Sequence, residues 1–238
     1  NLKVLKGLGM SRKNIILIVG LIVIGFILFI LLSSPNQNST SLENNINVSR
    51  NSSLNIIASN DVSDYIEGDH ILEYNNPINT IVEYASLTCP HCAVFHNEVF
   101  PRIKEDLIDT GKVKYVFRDF PIDPIAMAGS MIAHCSGDDK YFGVINVLLK
   151  TQDQWLMQNE NPYNGLLKVA RLAGLAEEDV KMCLNNSKIF NLIENNQKMA
   201  TSRFGVTGTP SVFVNNKKIS SLNYKAILNE LEISYGNN

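Results

Sequence analysis

The sequence has little excess charge of either sign, which limits the partners that electrostatics alone would recruit. Its 21 lysine and arginine residues and 23 aspartate and glutamate residues leave a formal net charge of −2 at pH 7. Proteins that bind nucleic acids or strongly acidic substrates usually carry a basic excess. The composition therefore favours neither class, and we expect no nucleic-acid partner.

Cysteine is scarce as well, and the four cysteines do not form the two spaced pairs that a structural zinc site usually needs. Cys89 and Cys92 are separated by two residues, whereas Cys135 and Cys183 lie far from them and from each other. The histidines near the first pair lie inside it and one helical turn later, so they do not supply a second pair. Zinc is the weaker interpretation, and we expect neither a metal nor an organic cofactor.

A third absence is that of charge in residues 15–32, an apolar run broken only by Gly20 and Gly25. A helix of this length covers about 27 Å, which is enough for a thin bilayer core. A cleavable signal peptide is the alternative, but the run also lacks the small residues of a cleavage site at its end. The sequence therefore favours an uncleaved transmembrane anchor at residues 15–32.

Basic residues are concentrated on one side of this run. Residues 1–14 contain four of them, whereas Arg50 alone is basic in the next two dozen residues. The positive-inside rule places residues 1–14 in the cytoplasm and the rest outside the membrane of a bacterial cell. Residues 33–60 are rich in asparagine and serine and predict a flexible linker, so the folded domain is residues 61–238. If the run is cleaved, that domain is soluble in the periplasm instead.

The motif Cys89-Pro90-His91-Cys92 carries the chemistry. Pro90 suits the first position of a helix, which leaves Cys89 at the helix N-terminus, where free N–H groups and the dipole favour a thiolate. His91 adds a positive charge when it is protonated. A favoured thiolate stabilises the reduced form and makes the disulfide a stronger oxidant. A purely structural disulfide is the alternative, but so small a ring would constrain very little chain.

Strand and helix patterns alternate around the motif. Residues 80–86 predict a strand, residues 93–108 a helix kinked at Pro101, and residues 112–118 a second strand with alternating apolar positions. This order implies parallel strands joined by a right-handed crossover. The later patterns predict a helical insertion at about residues 122–186, a helix at 187–204, a hairpin with strands 211–215 and 217–220, and a terminal amphipathic helix.

The combination of Cys-Pro-His-Cys at a strand-to-helix junction, a helical insertion after the next strand and a late Gly208-Thr209-Pro210 resembles the DsbA-like branch of the thioredoxin superfamily. The resemblance covers residues 61–235. It implies an α/β, thioredoxin-like fold with an inserted helical domain, here preceded by the predicted transmembrane helix.

The resemblance also implies the roles of four residues. Cys89 corresponds to the nucleophilic, solvent-facing thiol and Cys92 to the buried resolving thiol, and His91 to the residue that stabilises the Cys89 thiolate. Glu83 corresponds to a buried acid that moves protons from the resolving thiol. A solvent-facing strand glutamate is the alternative, but the strand around Glu83 is apolar on both faces, which favours burial.

Three further residues shape the site in the family. Pro210 corresponds to a cis-proline that packs opposite the disulfide and exposes backbone for substrate pairing, where an ordinary trans proline is the alternative. Pro90 is the residue between the thiols that starts the helix. Thr209 stands where the best-known oxidants of the family have valine, and threonine there also occurs in reductases and isomerases.

The sequence thus predicts a thiol–disulfide oxidoreductase that introduces disulfides into exported proteins with free thiols. A disulfide isomerase or reductase is the first alternative, and a chaperone-like binder without enzymatic activity is the second. The resemblance implies a quinone-linked membrane oxidase of the DsbB type as the reoxidant.

The remaining cysteines, Cys135 and Cys183, are predicted to form a structural disulfide. An oxidising compartment favours pairing of two nearby thiols, and some DsbA-like proteins have a second cysteine pair in this region. Two separate buried thiols are the alternative.

Overall fold

The computed structural model describes residues 61–157 and 161–235. The predicted anchor at residues 15–32 and the predicted linker at residues 33–60 lie outside these residues. Within the described ranges, no helix is long and apolar enough to cross a membrane.

A sheet of five strands forms the centre of the described domain. The strands are β1 (His70–Leu72), β2 (Asn79–Ala85), β3 (Val113–Asp119), β4 (Ser211–Val214) and β5 (Lys217–Lys218). Their order is β1-β3-β2-β4-β5, with β2 and β3 parallel and the other neighbours antiparallel. Every residue of β2 is buried, as its apolar sequence predicts for a central strand covered on both faces.

The predicted helix after the motif is present but interrupted. It consists of α1 (Pro90–Glu98) and α2 (Phe100–Ile103), followed by a π-helical turn at Lys104–Ile108. Val99 separates the two helices because Pro101, two residues later, has no N–H to donate and its ring crowds the preceding turn. The sequence predicted a kink at Pro101, and the structure has a break just before it.

The described residues of the predicted insertion form four helices between β3 and the long helix that follows. They are α3 (Pro124–Cys135), α4 (Asp138–Lys150), α5 (Pro162–Leu172) and α6 (Glu177–Leu184), with a π-helical turn at Asp153–Met157 after α4. The chain continues through α7 (Ser187–Phe204) to the hairpin β4–β5 and ends in α8 (Tyr224–Tyr235). No strand occurs in the described part of the insertion, in agreement with the sequence pattern.

Local chemistry explains where several of these elements start and turn. Asp123 caps α3, because its side chain accepts hydrogen bonds from the N–H groups of Ile125 and Ala126. Asn215 and Asn216 both have positive φ, of 45° and 70°, as the tight turn of a two-residue hairpin requires. β1 was not predicted, because its three residues are too short to show a pattern.

Two hydrophobic clusters cover the two faces of the sheet. The larger one contains both motif cysteines together with residues of the insertion, such as Ile145 and Leu148. The smaller one contains Val82, Tyr84 and Ala200, and so includes α7. The motif therefore lies at the carboxyl end of β2, enclosed on one side by the helical insertion.

Candidate active site

The cysteine motif forms the corner between β2 and α1. Cys89 is the residue that caps α1, and Pro90 is its first residue, as predicted from the sequence. The Cys89 N–H donates to the carbonyl of Ser86, and the Cys89 carbonyl accepts from the N–H groups of Cys92 and Ala93 at 3.1 and 3.2 Å. Both thiols are free, so the structure describes the reduced dithiol.

Cys89 combines restricted access with a stabilised thiolate. Its exposed fraction is 5%, against 0% for Cys92, so the predicted solvent-facing thiol is the more accessible of the two but is itself largely buried. The Cys92 thiol, Thr209 and the backbone N–H groups of Cys92 and His91 lower the pKa of Cys89 from 9.0 to about 5, against the opposing effect of burial. The hydrogen bond from Cys92 is the largest of these causes.

Cys92 has the opposite character. Burial raises its pKa strongly, and the hydrogen bond with Cys89 and the nearby carboxylate of Glu83 act in the same direction. The backbone N–H of Ser86 donates to its sulfur at 3.5 Å, which opposes this rise. The pair therefore holds one proton on Cys92 and one negative charge on Cys89.

Glu83 lies on β2 and is completely buried, as the sequence predicted. Burial is the largest cause that raises its pKa, from 4.5 to about 7, and the negative charge of Cys89 adds to the rise. The hydroxyl of Tyr115 on β3 donates to Glu83 Oε2 and lowers the pKa, whereas Oε1 has no hydrogen-bond partner among the described residues. Glu83 can therefore give or take a proton near neutral pH.

The bond between Thr209 and Pro210 is cis, as the resemblance implied. Cys89 Sγ lies 3.3 Å from the Thr209 carbonyl oxygen, to which only the protonated thiol donates, so this loop lies directly over the reactive sulfur. A groove of about 520 Å³ starts beside the loop and runs along α1. It is lined by His91, Val94, Phe95, Glu98, Val99, Thr209, Pro210, Ser221, Leu222 and Asn223.

His91 and Pro90 are both exposed. The backbone N–H of His91 helps to lower the pKa of Cys89, but its imidazole is not among the causes. Stabilisation of the thiolate by the imidazole charge therefore stays a prediction.

Two residues near the motif were not predicted from the sequence. Tyr115 had been assigned only to the apolar face of its strand, yet its hydroxyl binds Glu83. Gln152, just after α4, donates from its side chain to the carbonyls of Leu87 and Cys89. Gln152 is far from the motif in sequence, and no local pattern indicates this contact.

The second cysteine pair lies within the insertion. Cys135, the last residue of α3, and Cys183, in α6, are joined by a disulfide across 48 residues of sequence. Met131 and Ile193 form a small hydrophobic cluster with Cys183. This pair links two helices of the insertion and is not part of the corner between β2 and α1.

Comparison with known proteins identifies the family. The sequence profile of a family described as thioredoxin matches residues 69–232. The crystal structure of alpha-DsbA1 from Wolbachia pipientis superposes with a TM-score of 0.68 at 32% sequence identity, and the match covers 75% of this chain and 96% of that one. The chain belongs to the DsbA-like branch of the thioredoxin superfamily.

Two curated relatives of this DsbA-like chain carry names that refer to disulfide chemistry. A protein of Rickettsia bellii named as a protein-disulfide oxidoreductase is 36% identical over 163 residues, which cover 68% of this chain and 62% of that protein. Disulfide bond formation protein D of Bacillus subtilis is 25% identical over 165 residues, which cover 66% of this chain and 72% of that protein. The DsbA-like chain thus spans less than two thirds of the Rickettsia protein.

These comparisons confirm the family and the thioredoxin-like α/β fold with a helical insertion.

Proposed function

We propose that this DsbA-like chain is a thiol–disulfide oxidoreductase that oxidises pairs of thiols in exported proteins. The observation that carries the proposal is the asymmetry of the motif: the environment of Cys89 favours a thiolate, and that of Cys92 favours a thiol. A stabilised leaving thiolate lowers the energy of the reduced form and so makes the disulfide form oxidising.

The reaction transfers two electrons from the substrate to the Cys89–Cys92 disulfide. A substrate thiolate attacks Cys89 Sγ, a substrate–Cys89 bond forms, and the bond between Cys89 and Cys92 breaks with its electron pair on Cys92. The second substrate thiolate then attacks the substrate sulfur of the mixed disulfide, and Cys89 leaves as a thiolate. The substrate ends with a disulfide, and the protein ends as the dithiol.

Glu83 supplies the proton that the first step needs. Cys92 leaves into a site where burial strongly disfavours a thiolate, so it must be protonated as the disulfide opens. Glu83 has a pKa of about 7, which lets it act as the acid in this direction and as the base during reoxidation. Because Glu83 is buried, the proton would pass between its carboxyl group and the motif.

The surroundings of the reaction follow from the sequence. Residues 15–32, as an anchor or as a signal peptide, would bring the domain to the extracytoplasmic side of a bacterial membrane, the periplasm in a double-membrane cell. There the dithiol would be reoxidised by a quinone-linked membrane protein of the DsbB type. Substrate backbone would pair beside cis-Pro210, where the groove along α1 begins.

A disulfide isomerase or reductase is the second candidate function, because threonine before the cis-proline also occurs in those enzymes. Thr209 is placed to affect the chemistry: its carbonyl oxygen lies 3.3 Å from Cys89 Sγ, and the residue lines the groove. A chaperone-like binder would use the same groove without the sulfurs, and its activity would survive replacement of Cys89.

The proposal is tested by equilibrating the purified protein with mixtures of reduced and oxidised glutathione and trapping the thiols of Cys89 and Cys92. An oxidant stays largely reduced in mixtures that fully oxidise an ordinary dithiol. A Cys89–Cys92 disulfide that persists in strongly reducing mixtures would show a reductant. The Cys135→Ser/Cys183→Ser double variant confirms that the signal comes from the motif.

A further inference from the structure

Gln152 connects the helical insertion to the corner between β2 and α1, where the cysteine motif lies. It is buried, with an exposed fraction of 5%, and only Thr151 separates it from the end of α4. Its side-chain nitrogen donates to the Leu87 carbonyl at 2.8 Å and to the Cys89 carbonyl at 3.1 Å. A primary amide carries two N–H donors, so one side chain satisfies two carbonyls of the segment between β2 and α1.

The Cys89 carbonyl is also where α1 starts. It accepts from the N–H groups of Cys92 and Ala93, so Gln152 and the first turn of the helix share this oxygen. The direction of the first-turn N–H groups depends on how this corner is held. The N–H groups of His91 and Cys92 lower the pKa of Cys89 and so favour its thiolate.

The turn that carries Gln152 is itself tightly packed. The indole N–H of Trp155 donates to the Leu148 carbonyl at 2.7 Å, which ties the π-helical turn back to α4. Gly165 on α5 lies against the backbone of Trp155, and a Cβ there would collide with the Trp155 carbonyl oxygen. Gln152 therefore extends from a supported turn rather than from a free loop.

We propose that Gln152 is a positioning residue of the redox site, which holds the Leu87–Cys89 corner so that the N–H groups of His91 and Cys92 face the Cys89 sulfur. The insertion thereby takes part in setting the thiol–thiolate balance of Cys89. The inference rests on the proposed thiol chemistry, and Gln152 acts through the backbone without touching the sulfur.

The test replaces Gln152 with methionine, which has similar length and no donor. Gln197→Met is the matched control, because Gln197 also donates from its side-chain amide to a carbonyl, that of Pro121, at 2.8 Å. For both variants and the wild type, the Cys89 thiolate is titrated by its ultraviolet absorbance, the glutathione equilibrium is measured, and stability is measured by urea unfolding.

The expected result separates a positioning role from a purely structural one. Both variants lose stability, but only Gln152→Met raises the proton affinity of Cys89, by about fivefold to tenfold, the scale of a lost hydrogen bond. It also shifts the glutathione equilibrium towards the disulfide form. An unchanged titration in Gln152→Met, with a stability loss like that of the control, would overturn the inference.

A milder variant covers the case in which Gln152→Met does not fold. Gln152→Asn keeps the amide but is one methylene shorter, so it reaches at most one of the two carbonyls, and a smaller rise in the same direction is expected. Its titration decides the inference by the same criterion. Because each comparison is between variant and wild type, it remains valid if the wild-type protein proves to be a reductant, which would contradict only the proposed function.

Discussion

Only two residues separate Cys89 from Cys92 at the start of α1, whereas Cys135 and Cys183 join two helices of the insertion across 48 residues of sequence. The first pair is reduced in the structure and the second is bonded. The surroundings differ as well. Backbone polar groups contact both sulfurs of the first pair, whereas Cys183 lies in a small hydrophobic cluster with Met131, whose carbonyl oxygen is 2.9 Å from the Cys183 sulfur.

This contrast shows what makes a cysteine pair reactive. Cys89 receives hydrogen bonds that favour its thiolate, and Cys92 is buried beside a carboxyl group, so opening their disulfide leaves a charge that the site accommodates. The neighbours of Cys183 supply hydrophobic packing, which stabilises a closed bridge. We therefore expect the second pair to have a structural role.

Replacing cysteine with serine in each pair should give the largest difference in activity between the two pairs. Cys89→Ser should abolish dithiol oxidation, because the attacked sulfur is gone and Cys92 alone cannot form the disulfide. Cys135→Ser/Cys183→Ser should retain oxidation of a reduced, unfolded substrate protein. The measurement is the loss of substrate thiols with time. A wild-type protein that consumes no substrate thiols, and that binds the unfolded substrate no better than Cys89→Ser does, would point instead to a chaperone-like binder.

The effect on stability should be the reverse, with a larger loss when the second cysteine pair is removed than when the first is. The Cys135–Cys183 bridge closes a long loop, so its removal should lower the free energy of unfolding by about 2–4 kcal/mol. Urea unfolding without reductant measures this, with Cys92→Ser, also kept without reductant, as the control because it removes only the small ring of the motif and leaves the long loop closed. Equal stabilities of the double variant and the wild type would contradict a structural role.

Glu83, beside the first cysteine pair, should make the stability of the protein depend on pH. Its pKa is about 7 in the folded protein and 4.5 ordinarily, so the folded state binds an extra proton between these values. Its contribution to stability is therefore fully present below pH 4.5 and is lost as pH rises through about 7, by roughly 3 kcal/mol. Glu83→Gln should remove this loss, as urea unfolding at a series of pH values would show. Parallel pH profiles for both proteins would be inconsistent with a raised pKa.

Tyr115→Phe should produce a smaller change at the same site. Without the hydroxyl, Glu83 loses the hydrogen bond from Tyr115, so its pKa should rise above about 7, by less than burial raises it. The stability loss should be about 1–3 kcal/mol, the cost of leaving a buried polar group unpaired. The pH midpoint of the Glu83 effect reports the shift. A midpoint that stays or falls would show that Tyr115 does not tune the acid.

The sequence allowed much of this site to be predicted, because its parts are local or belong to a known family pattern. Cys89, Pro90 and Cys92 are adjacent in the chain, and an apolar central strand predicts burial of Glu83. The cis bond before Pro210 came from the resemblance and not from any local rule.

The parts that were missed depend on contacts between distant segments. Tyr115 has the same pattern as an ordinary strand tyrosine, and only the pairing of β2 with β3 brings it to Glu83. Gln152 reaches the motif because the insertion folds back over the end of β2. The break at Val99 lies two residues before Pro101, where the sequence predicted a kink, because the periodicity of the apolar residues does not show at which residue the helix is interrupted.

The central claim is that the two motif thiols have opposite protonation preferences. It is tested most directly by titrating the thiolate absorbance of the reduced Cys89–Cys92 pair while the Cys135–Cys183 disulfide stays intact. The account predicts that one thiol titrates with a pKa of about 5 and that the other stays protonated far into the alkaline range. Two thiols that titrate together near the ordinary cysteine value of about 8.5 would contradict it.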